Sequence, residues 1–231
     1  KTLYLQVPAG ADANALTIEF QRRRSALTLE RCRHVQISGL HILAATVNIL
    51  NSEDCLLQGL RVLHQGNLRG GNTSYGLGAS LGSRLGGERN ILRDSEIACC
   101  AGDGVSVSGT RNSIINCWIH DTDYTGSYDT PIRLAGQEHL VSHCSLHDTG
   151  RDCMLPGGQA HIIQYNDISR MGRICHDLGA TYVCASDGGG TEFRFNWCHD
   201  NAAHGTRMGI YLDNFTSNYF VYRNVVWNIN G

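Results

Sequence analysis

Six aspartates are the residues best placed to do chemistry, because each flanks a short apolar stretch between residues 103 and 213. They are Asp103, Asp129, Asp152, Asp177, Asp187 and Asp213. Two carboxyl groups held close together can divide the roles of general acid and general base, since their surroundings can keep one protonated and the other ionised. The question is which of the six the repeating pattern of the chain leaves unexplained.

Asp177 and Asp213 depart most clearly from that pattern. His-Asp dipeptides occur at 120–121, 147–148, 176–177 and 199–200. Three of them follow equivalent apolar residues, and we interpret these as polar residues repeated by the architecture, but the dipeptide that contains Asp177 is out of register. The positions taken as equivalent to Asp213 hold Ser108, Ala135, Pro156 and Cys184. Local departures of this kind are expected at functional sites.

The pattern itself is a repeat of eight segments. Each has a short apolar pair, then a small or amide residue, then an apolar residue two positions on. The small or amide position holds Leu40, Leu60, Ser95, Cys117, Cys144, Asn166, Asn196 and Asn224. Spacings of about 20 to 35 residues suit the coils of a solenoid, and period-two alternation indicates strands. We predict an all-β, right-handed parallel β-helix of about eight coils over residues 1–231, with Asn166, Asn196 and Asn224 forming an internal amide ladder.

A second apolar strand precedes each of the later repeats, and its side chains alternate between interior and solvent. The predicted outward row is Ser106, Arg133, Met154, Tyr182 and Tyr211. Tyr182 and Tyr211 could offer a sugar flat ring faces and hydroxyl groups, and Arg133 could pair bidentately with a sugar carboxylate. Together with Asp152 and His176, which lie on the approaches to the row, they form the predicted substrate-binding set.

The strand order also places the candidate acids near one another. Asp177 and Asp187 belong to the coil next to that of Asp213, so carboxyl separations of roughly 5 to 10 Å are reachable, which is the range of the acid pair in glycoside hydrolases. We predict Asp177, Asp213 and Asp187 as the catalytic candidates. One would act as general acid and another as nucleophile or base, without a metal or cofactor.

Composition narrows the function classes further. The net charge of −2 gives no basic footprint for nucleic acid, and no apolar run is long enough to span a membrane. Ten cysteines admit a disulfide framework, but several occupy repeat positions typical of small buried residues. The sequence lacks an initiator Met and stops inside a repeat, so we expect a piece of a longer protein. The expected partner is a polysaccharide or oligosaccharide.

The segment from Cys175 to Trp227 carries a resemblance to a known family. Its motifs are Asp177-Leu178-Gly179-Ala180-Thr181-Tyr182, Asp187-Gly188-Gly189-Gly190-Thr191-Glu192, Asn196-Trp197-Cys198-His199-Asp200-Asn201 and Gly209-Ile210-Tyr211-Leu212-Asp213-Asn214. They resemble the right-handed β-helix glycoside hydrolases of the pectate-lyase-like superfamily, near the fucosidase and xylanase-type members. The resemblance implies a secreted enzyme that degrades plant or microbial polysaccharide with catalytic aspartates. By position it points to Asp177 and Asp213, with Asp187 third, while earlier coils match only the generic repeat.

A polysaccharide lyase is the nearest alternative. Such enzymes abstract the proton next to a uronate carboxylate, and Arg133 or Arg151 could serve as the base. Asp103, Asp129 and Asp152 could then hold Ca²⁺, a hard cation that needs several oxygen ligands.

A non-catalytic β-helix for adhesion or glycan binding is the alternative from another class, since fold alone does not imply function. It predicts that Asp177, Asp187 and Asp213 are scattered or are individually hydrogen-bonded in turns. A zinc site is not expected, because the cysteines and histidines lack paired close spacing.

Overall fold

The computed structural model describes residues 6–17, 21–66, 72–73, 76–77 and 82–229. Over this part the chain forms a right-handed parallel β-helix. Each of its coils contributes one strand to each of three parallel sheets, which have 8 strands apiece and are called here the first, second and third sheet. The predicted fold class and coil number are therefore confirmed.

The sheets follow one another in the same order in every coil. The first sheet comprises Ser25–Glu30, Thr46–Glu53, Ser83–Glu88, Val105–Thr110, Ile132–Leu134, Met154–Pro156, Thr181–Val183 and Ile210–Leu212. The second comprises Gln36–Ser38, Leu56–Gln58, Ile91–Arg93, Ser113–Ile115, Leu140–Ser142, Ile162–Gln164, Asp187–Arg194 and Ser217–Tyr222. The third comprises His41–Leu43, Arg61–Leu63, Glu96–Ala98, Trp118–Thr122, Ser145–Thr149, Asp167–Ser169, Trp197–His199 and Val225–Trp227.

Two small elements lie outside the three sheets. Ala13–Ala15 forms a 3₁₀ turn that Asp12 caps, and Asn72–Thr73 pairs with Gly76–Leu77 in an antiparallel ribbon. Within the described ranges, no helix is long and apolar enough to cross a membrane.

The interior consists of columns in which each side chain lies between its equivalents from neighbouring coils. One third-sheet column, with exposed fractions of 1 % or less, contains Ile97, Ile119, Leu146, Ile168 and Cys198. Full burial of such an aliphatic side chain contributes about 1.5–3 kcal/mol. A single coil has no second layer to provide that burial, so the strands are stable only as a stack.

The predicted amide ladder supports the turns between the second and third sheets. The backbone N–H of Asn166 donates to Asn196 Oδ1 at 3.0 Å, and that of Asn196 donates to Asn224 Oδ1 at 2.9 Å. The residue before each ladder position has a positive φ, and it is a glycine only at Gly39 and Gly59. A left-handed conformation costs other residues about 1–2 kcal/mol, which the ladder hydrogen bonds help to offset.

A second ladder, between the first and second sheets, was not anticipated from the sequence. Its members are Asn90, Asn112, His139, His161 and Thr191. The backbone N–H of His139, for example, donates to His161 Nδ1 at 3.1 Å, and His161 Nε2 donates to the Gly157 carbonyl at 2.9 Å. Three residue types share one structural role, which hides the repeat from inspection of the sequence.

One prediction about the first sheet is wrong by one residue. Met154 pairs with Ile132 and is fully buried, and Leu155 lies beside Arg133 on the outward row. Consequently Gly157, rather than Pro156, is the equivalent of Asp213. The segment is apolar throughout, so alternation between apolar and polar residues could not show which of its side chains face the interior.

Six of the ten cysteines are buried as small core residues. All ten are free thiols, and Cys117 and Cys144 occupy the ladder column with exposed fractions of 2 % and 1 %. The disulfide framework that their number admits is not formed.

Candidate active site

Two tyrosines occupy the outward row of the first sheet on its last two strands. Tyr182 and Tyr211 pair directly across neighbouring strands, and their ring centroids lie 5.2 Å apart with the rings at 72°. This edge-to-face arrangement is a favourable one for aromatic rings. It fixes the two hydroxyl groups relative to each other on the solvent-facing side of the sheet.

Each of the two hydroxyl groups donates a hydrogen bond to a carboxylate. Tyr182 donates to Asp213 Oδ2 at 3.0 Å, and Tyr211 donates to Asp177 Oδ1 at 3.3 Å. The Tyr211 hydroxyl also contributes to lowering the pKa of Asp213, so it lies near both acids. Two carboxyl groups that both lie near one hydroxyl can be separated by no more than roughly two hydrogen-bond lengths, or about 7 Å between their nearest oxygens. The structure thus brings together Asp177 and Asp213, which are called the acid pair below.

The two members of the acid pair have unequal surroundings. Asp213 accepts from the backbone N–H of Asn214 at 2.7 Å as well as from Tyr182. The Asn214 bond is the largest cause that holds the pKa of Asp213 below its ordinary value. For Asp177 the structure gives one donor, Tyr211. Hydrogen bonds to the ionised form favour it, so Asp213 is the member better suited to remain ionised.

A strained approach positions Asp177. Its φ is +59°, and its backbone N–H donates to the Thr206 carbonyl of the next coil at 2.7 Å. Gly179 follows, and a side chain there would meet Tyr211 Cβ at 3.1 Å and the Thr181 carbonyl at 2.8 Å. A glycine at 179 is therefore required for Tyr211 to approach this segment closely.

Arg151 connects this approach to the tyrosines. Its guanidinium is 7 % exposed, pairs with Asp152 at 3.0 Å, and donates to the Asp177 carbonyl at 2.8 Å. It also lies 3.9 Å from the Tyr128 ring centroid and 5.3 Å from that of Tyr182. The sequence suggested Arg151 only as an alternative lyase base. Its supporting role has no sequence signal, because its partners come from three different coils.

Asp152 is a correction to the predicted substrate-binding set. It is fully buried, and its second oxygen accepts from the Gly179 N–H at 3.0 Å. Burial raises the pKa of Asp152 to about 6, while the charge of Arg151 opposes that rise. A carboxylate so enclosed contacts the protein rather than a ligand, and it holds the segment that carries Asp177.

Arg133 likewise meets protein carboxylates. Its guanidinium donates two hydrogen bonds to Asp103, at 2.8 and 3.0 Å, and one to Asp129 at 3.3 Å. Arg133 thus already makes, within the protein, the bidentate pair that the sequence suggested for an acidic sugar. As the aspartates are 2 % exposed, the pairing compensates their buried charge.

The hydrogen bonds of Asp187 and His176 are made to residues other than the acid pair. Asp187 accepts from the Gly189 N–H at 2.9 Å and from Asn218 Nδ2 at 2.9 Å, and the Gly189 bond is the main cause that lowers its pKa. These bonds attach Asp187 to its own turn and to the next coil. His176 is exposed, and its carbonyl accepts from Arg151 at 3.4 Å.

The aspartates suggested as Ca²⁺ ligands are not arranged as a common site. Asp103 faces Arg133, whereas Asp152 faces Arg151. Among the described residues, no group of three or more His, Cys, Asp or Glu side chains is placed to hold a metal ion. An arginine between carboxylates takes the place that a cation would fill.

The three in-register His-Asp dipeptides are structural repeats, as predicted. In each, the histidine Nδ1 lies 2.7 Å from the neighbouring aspartate Oδ2, at His120, His147 and His199. All of them lie along the third sheet. The out-of-register dipeptide alone contributes to the acid pair.

The sequence matches no protein-family model and no curated protein. Solved structures do match. An alginate lyase from Paenibacillus sp. str. FPU-7 has a TM-score of 0.58 at 14 % identity, covering 88 % of this chain and 75 % of its own. The enzymatically active domain of bacteriophage CBA120 tailspike protein 2 has a TM-score of 0.55 at 8 % identity, covering 84 % of this chain and 35 % of its own.

At these identities the likeness is one of fold. The chain spans about a third of the tailspike chain, and neither comparison bears on the individual residues of the acid pair.

Proposed function

We propose that this protein is a glycoside hydrolase that cleaves a polysaccharide on the outward face of the first sheet. The observation that supports this most is the Tyr211 hydroxyl, which donates to Asp177 at 3.3 Å and also lies near Asp213. It limits the separation of the two carboxyl groups to about 7 Å, which is compatible with the spacing of hydrolase acid pairs, about 5–9.5 Å. The second and third sheets offer no carboxyl pair that shares a tyrosine in this way among the described residues.

The unequal surroundings assign the roles. Asp213, which accepts from Asn214 and Tyr182, stays ionised and acts as nucleophile or as the base that activates water. Asp177 acts as general acid and protonates the leaving oxygen. The Tyr211 hydroxyl has a single proton, so it can donate to only one carboxylate at a time. As the charges of the two acids change during turnover, the hydroxyl can donate first to one carboxylate and then to the other.

A polymeric substrate suits the shape of the site. The outward row runs along the axis of the helix, with Arg133, Leu155, Tyr182 and Tyr211 on successive coils. A chain of sugars could therefore extend along several strand spacings of about 4.8 Å. The two solved structures named above are a lyase of alginate and a tailspike domain, which agrees with a polysaccharide as ligand. An enzyme of this kind works where polymers occur, outside the cell.

A lyase is the second candidate, because an alginate lyase shares the fold. Its base would be an arginine or a tyrosine. Arg133 and Arg151 are both engaged with buried carboxylates, and burial together with Asp213 raises the pKa of Tyr182. A raised pKa keeps that phenol protonated, as a donor rather than a base. The two carboxylates at Tyr211 remain the groups best suited to proton transfer, which favours hydrolysis.

The test measures product release from a panel of soluble polysaccharides by wild type, Asp177→Asn, Asp213→Asn and Asp187→Asn. Loss of a general acid or base lowers kcat by about 10²–10⁴-fold, and we expect this for Asp177→Asn and Asp213→Asn. The matched control is Asp121→Asn, because Asp121 is 55 % exposed and pairs with His120 on the third sheet. It should retain wild-type activity.

The products separate the candidates. Hydrolysis releases reducing ends without ultraviolet absorbance, whereas a lyase creates a carbon–carbon double bond that absorbs. Unsaturated products from any polyuronate would replace the hydrolase assignment with the lyase. Cleavage that survives both Asp177→Asn and Asp213→Asn would move catalysis elsewhere, and binding without cleavage across the panel would favour a non-catalytic glycan-binding β-helix.

A further inference from the structure

The tryptophans are concentrated on one face of the molecule. The chain has three, and all lie on third-sheet strands, at Trp118, Trp197 and Trp227. Their exposed fractions are 47 %, 56 % and 38 %. Trp197 is the most exposed even though coils pack on both sides of its strand. Such large apolar rings in solvent generally mark a binding surface.

Two of these rings form the walls of an open cleft, which is called the tryptophan cleft below. Its lining is Asp167, Trp197, His199, Val225 and Trp227. The Trp197 and Trp227 rings stand at 71° with centroids 6.3 Å apart. Trp227 stacks on His199 at 4.0 Å, which fixes it as a rigid wall beside the freer ring of Trp197.

A hydrogen-bond acceptor is fixed at the same place. Asp167 pairs in register with Trp197, and its Oδ1 lies 2.8 Å from His199 Nε2. The opposite nitrogen of His199 lies 2.7 Å from Asp200 Oδ2. A histidine between two carboxylates is held in one orientation, and the Asp167 side chain remains 45 % exposed. Its carboxylate therefore lies in the lining of the tryptophan cleft, on the strand next to that of Trp197.

We propose that the tryptophan cleft is a second binding site, for an uncharged polysaccharide, separate from the acid pair on the first sheet. A sugar ring has an apolar face that can lie on an indole and hydroxyl groups at its edge that can donate to a carboxylate. The lining that the structure describes contains no arginine or lysine side chain. Asp167 would repel the carboxylates of a polyuronate, so the site selects against acidic glycans.

The position of Trp118 supports a polymer rather than a single sugar as the ligand. It lies in the same outward column as Trp197, separated by Ser145 and Asp167. Three strand spacings correspond to about 14 Å, so a long chain that runs parallel to the axis could contact both rings. The site would hold the polymer on the enzyme, while the acid pair on another face performs the cleavage.

Intrinsic fluorescence provides a direct test, because every tryptophan of the chain belongs to this face. The probes are soluble xylan, β-glucan and galactomannan, with alginate as the acidic polymer. We expect at least one uncharged polymer to shift the emission of the full chain saturably. Trp197→Ala should raise its Kd about tenfold or more, and Trp197→Tyr, which keeps a flat ring, should restore most of the affinity.

The control is Tyr165→Ala, which removes a 48 % exposed aromatic ring from a turn outside the third sheet and should bind as wild type. Asp213→Asn should bind with unchanged Kd even where it abolishes cleavage, so failure of the hydrolase proposal and failure of this one are distinguishable. No shift with any uncharged polymer, a shift with alginate alone, or an unchanged Kd for Trp197→Ala would each overturn the proposal.

Discussion

The outward faces of the first and third sheets use similar residues in opposite ways. On the third sheet the polar groups are repeated, with three His-Asp pairs of the same 2.7 Å geometry in register. On the first sheet, the polar groups around the acid pair are not repeated from coil to coil. Asp177 has a left-handed backbone, and Asp213 occupies a column of otherwise small neutral residues. Arg151 holds the segment of Asp177 through Asp152 and two backbone carbonyls.

The contrast separates two kinds of function. A repeated surface presents the same group at each coil spacing, which suits contact with a repeating polymer. Chemistry at one bond needs a single arrangement that is held by residues from several coils. In this molecule that arrangement has buried charges beneath it, whereas the charges on the third sheet are largely exposed. Variants that probe buried and exposed charge can therefore test the comparison.

The largest effect is expected at Arg151. Arg151→Met would leave Asp152 buried without its partner, and loss of one member of a buried ion pair costs about 3–5 kcal/mol of stability. Its counterpart is Arg170→Met, directly after the third-sheet strand Asp167–Ser169. Arg170 is 46 % exposed, and its partner Asp148, which is 13 % exposed, keeps Arg173 as a second partner. Exposed pairs contribute about 1 kcal/mol or less. Urea unfolding at pH 8 measures both, and equal losses would contradict the distinction between the faces.

A smaller effect that depends on pH is expected at Asp123, beneath the first-sheet face. The Ser127 hydroxyl lies 2.7 Å from Asp123 Oδ1 and 2.9 Å from Asp129 Oδ2. With one proton to donate, it can bond to both only if one carboxyl is protonated. Burial, the largest cause, raises the pKa of Asp123 to about 7 from an ordinary value of 3.8.

Stability should therefore fall as the pH rises between about 4 and 7, because the unfolded chain releases this proton before the folded one does. Asp123→Asn, which cannot ionise, should remove up to about 4 kcal/mol of that decline. Asp121→Asn, at an exposed third-sheet carboxylate, should leave the decline in place. Free energies of unfolding at pH 5 and pH 8 give the comparison, and a decline unchanged in Asp123→Asn would assign it to another group.

The fold could be predicted because its signal is repeated. Eight copies of one pattern indicated the coils, and Asn166, Asn196 and Asn224 indicated the amide ladder that the structure contains. The signal failed where residue types did not repeat. In the ladder through Asn112, His139 and Thr191, three different residue types accept a backbone hydrogen bond at equivalent positions. The strand Met154–Pro156 is uniformly apolar, so its sequence did not show which residues face the interior.

The candidate site was accessible from the sequence only in part, for the same reason. Asp177 and Asp213 could be selected because they break the pattern, and the structure places both at Tyr211. The sequence could not show which residues Arg133 and Arg151 contact, because ion pairs such as Arg133–Asp103 join residues about one coil apart with no fixed spacing. The sequence also could not show which side chains are exposed, so Asp152, which is buried, was predicted to bind the substrate.

The smallest effect concerns the pH dependence of catalysis. Tyr182→Phe removes the hydroxyl that donates to Asp213 Oδ2 at 3.0 Å, a bond that helps to lower the pKa of Asp213. The ionised form of Asp213 is the active one, so the acidic limb of the kcat/KM profile should move to higher pH by up to about one unit. The plateau should change little, because the Asn214 N–H still donates to the carboxylate.

His147 provides the control for this limb. It lies on the third sheet, and burial, followed by the charge of Arg170, lowers its pKa to about 4, so His147 also titrates at acidic pH. His147→Gln should leave the acidic limb where it is in wild type. If the acidic limb moved with His147→Gln and not with Tyr182→Phe, the group that controls the pH dependence would lie on the third sheet rather than the first. The third sheet would then be the catalytic surface, and the first sheet would not.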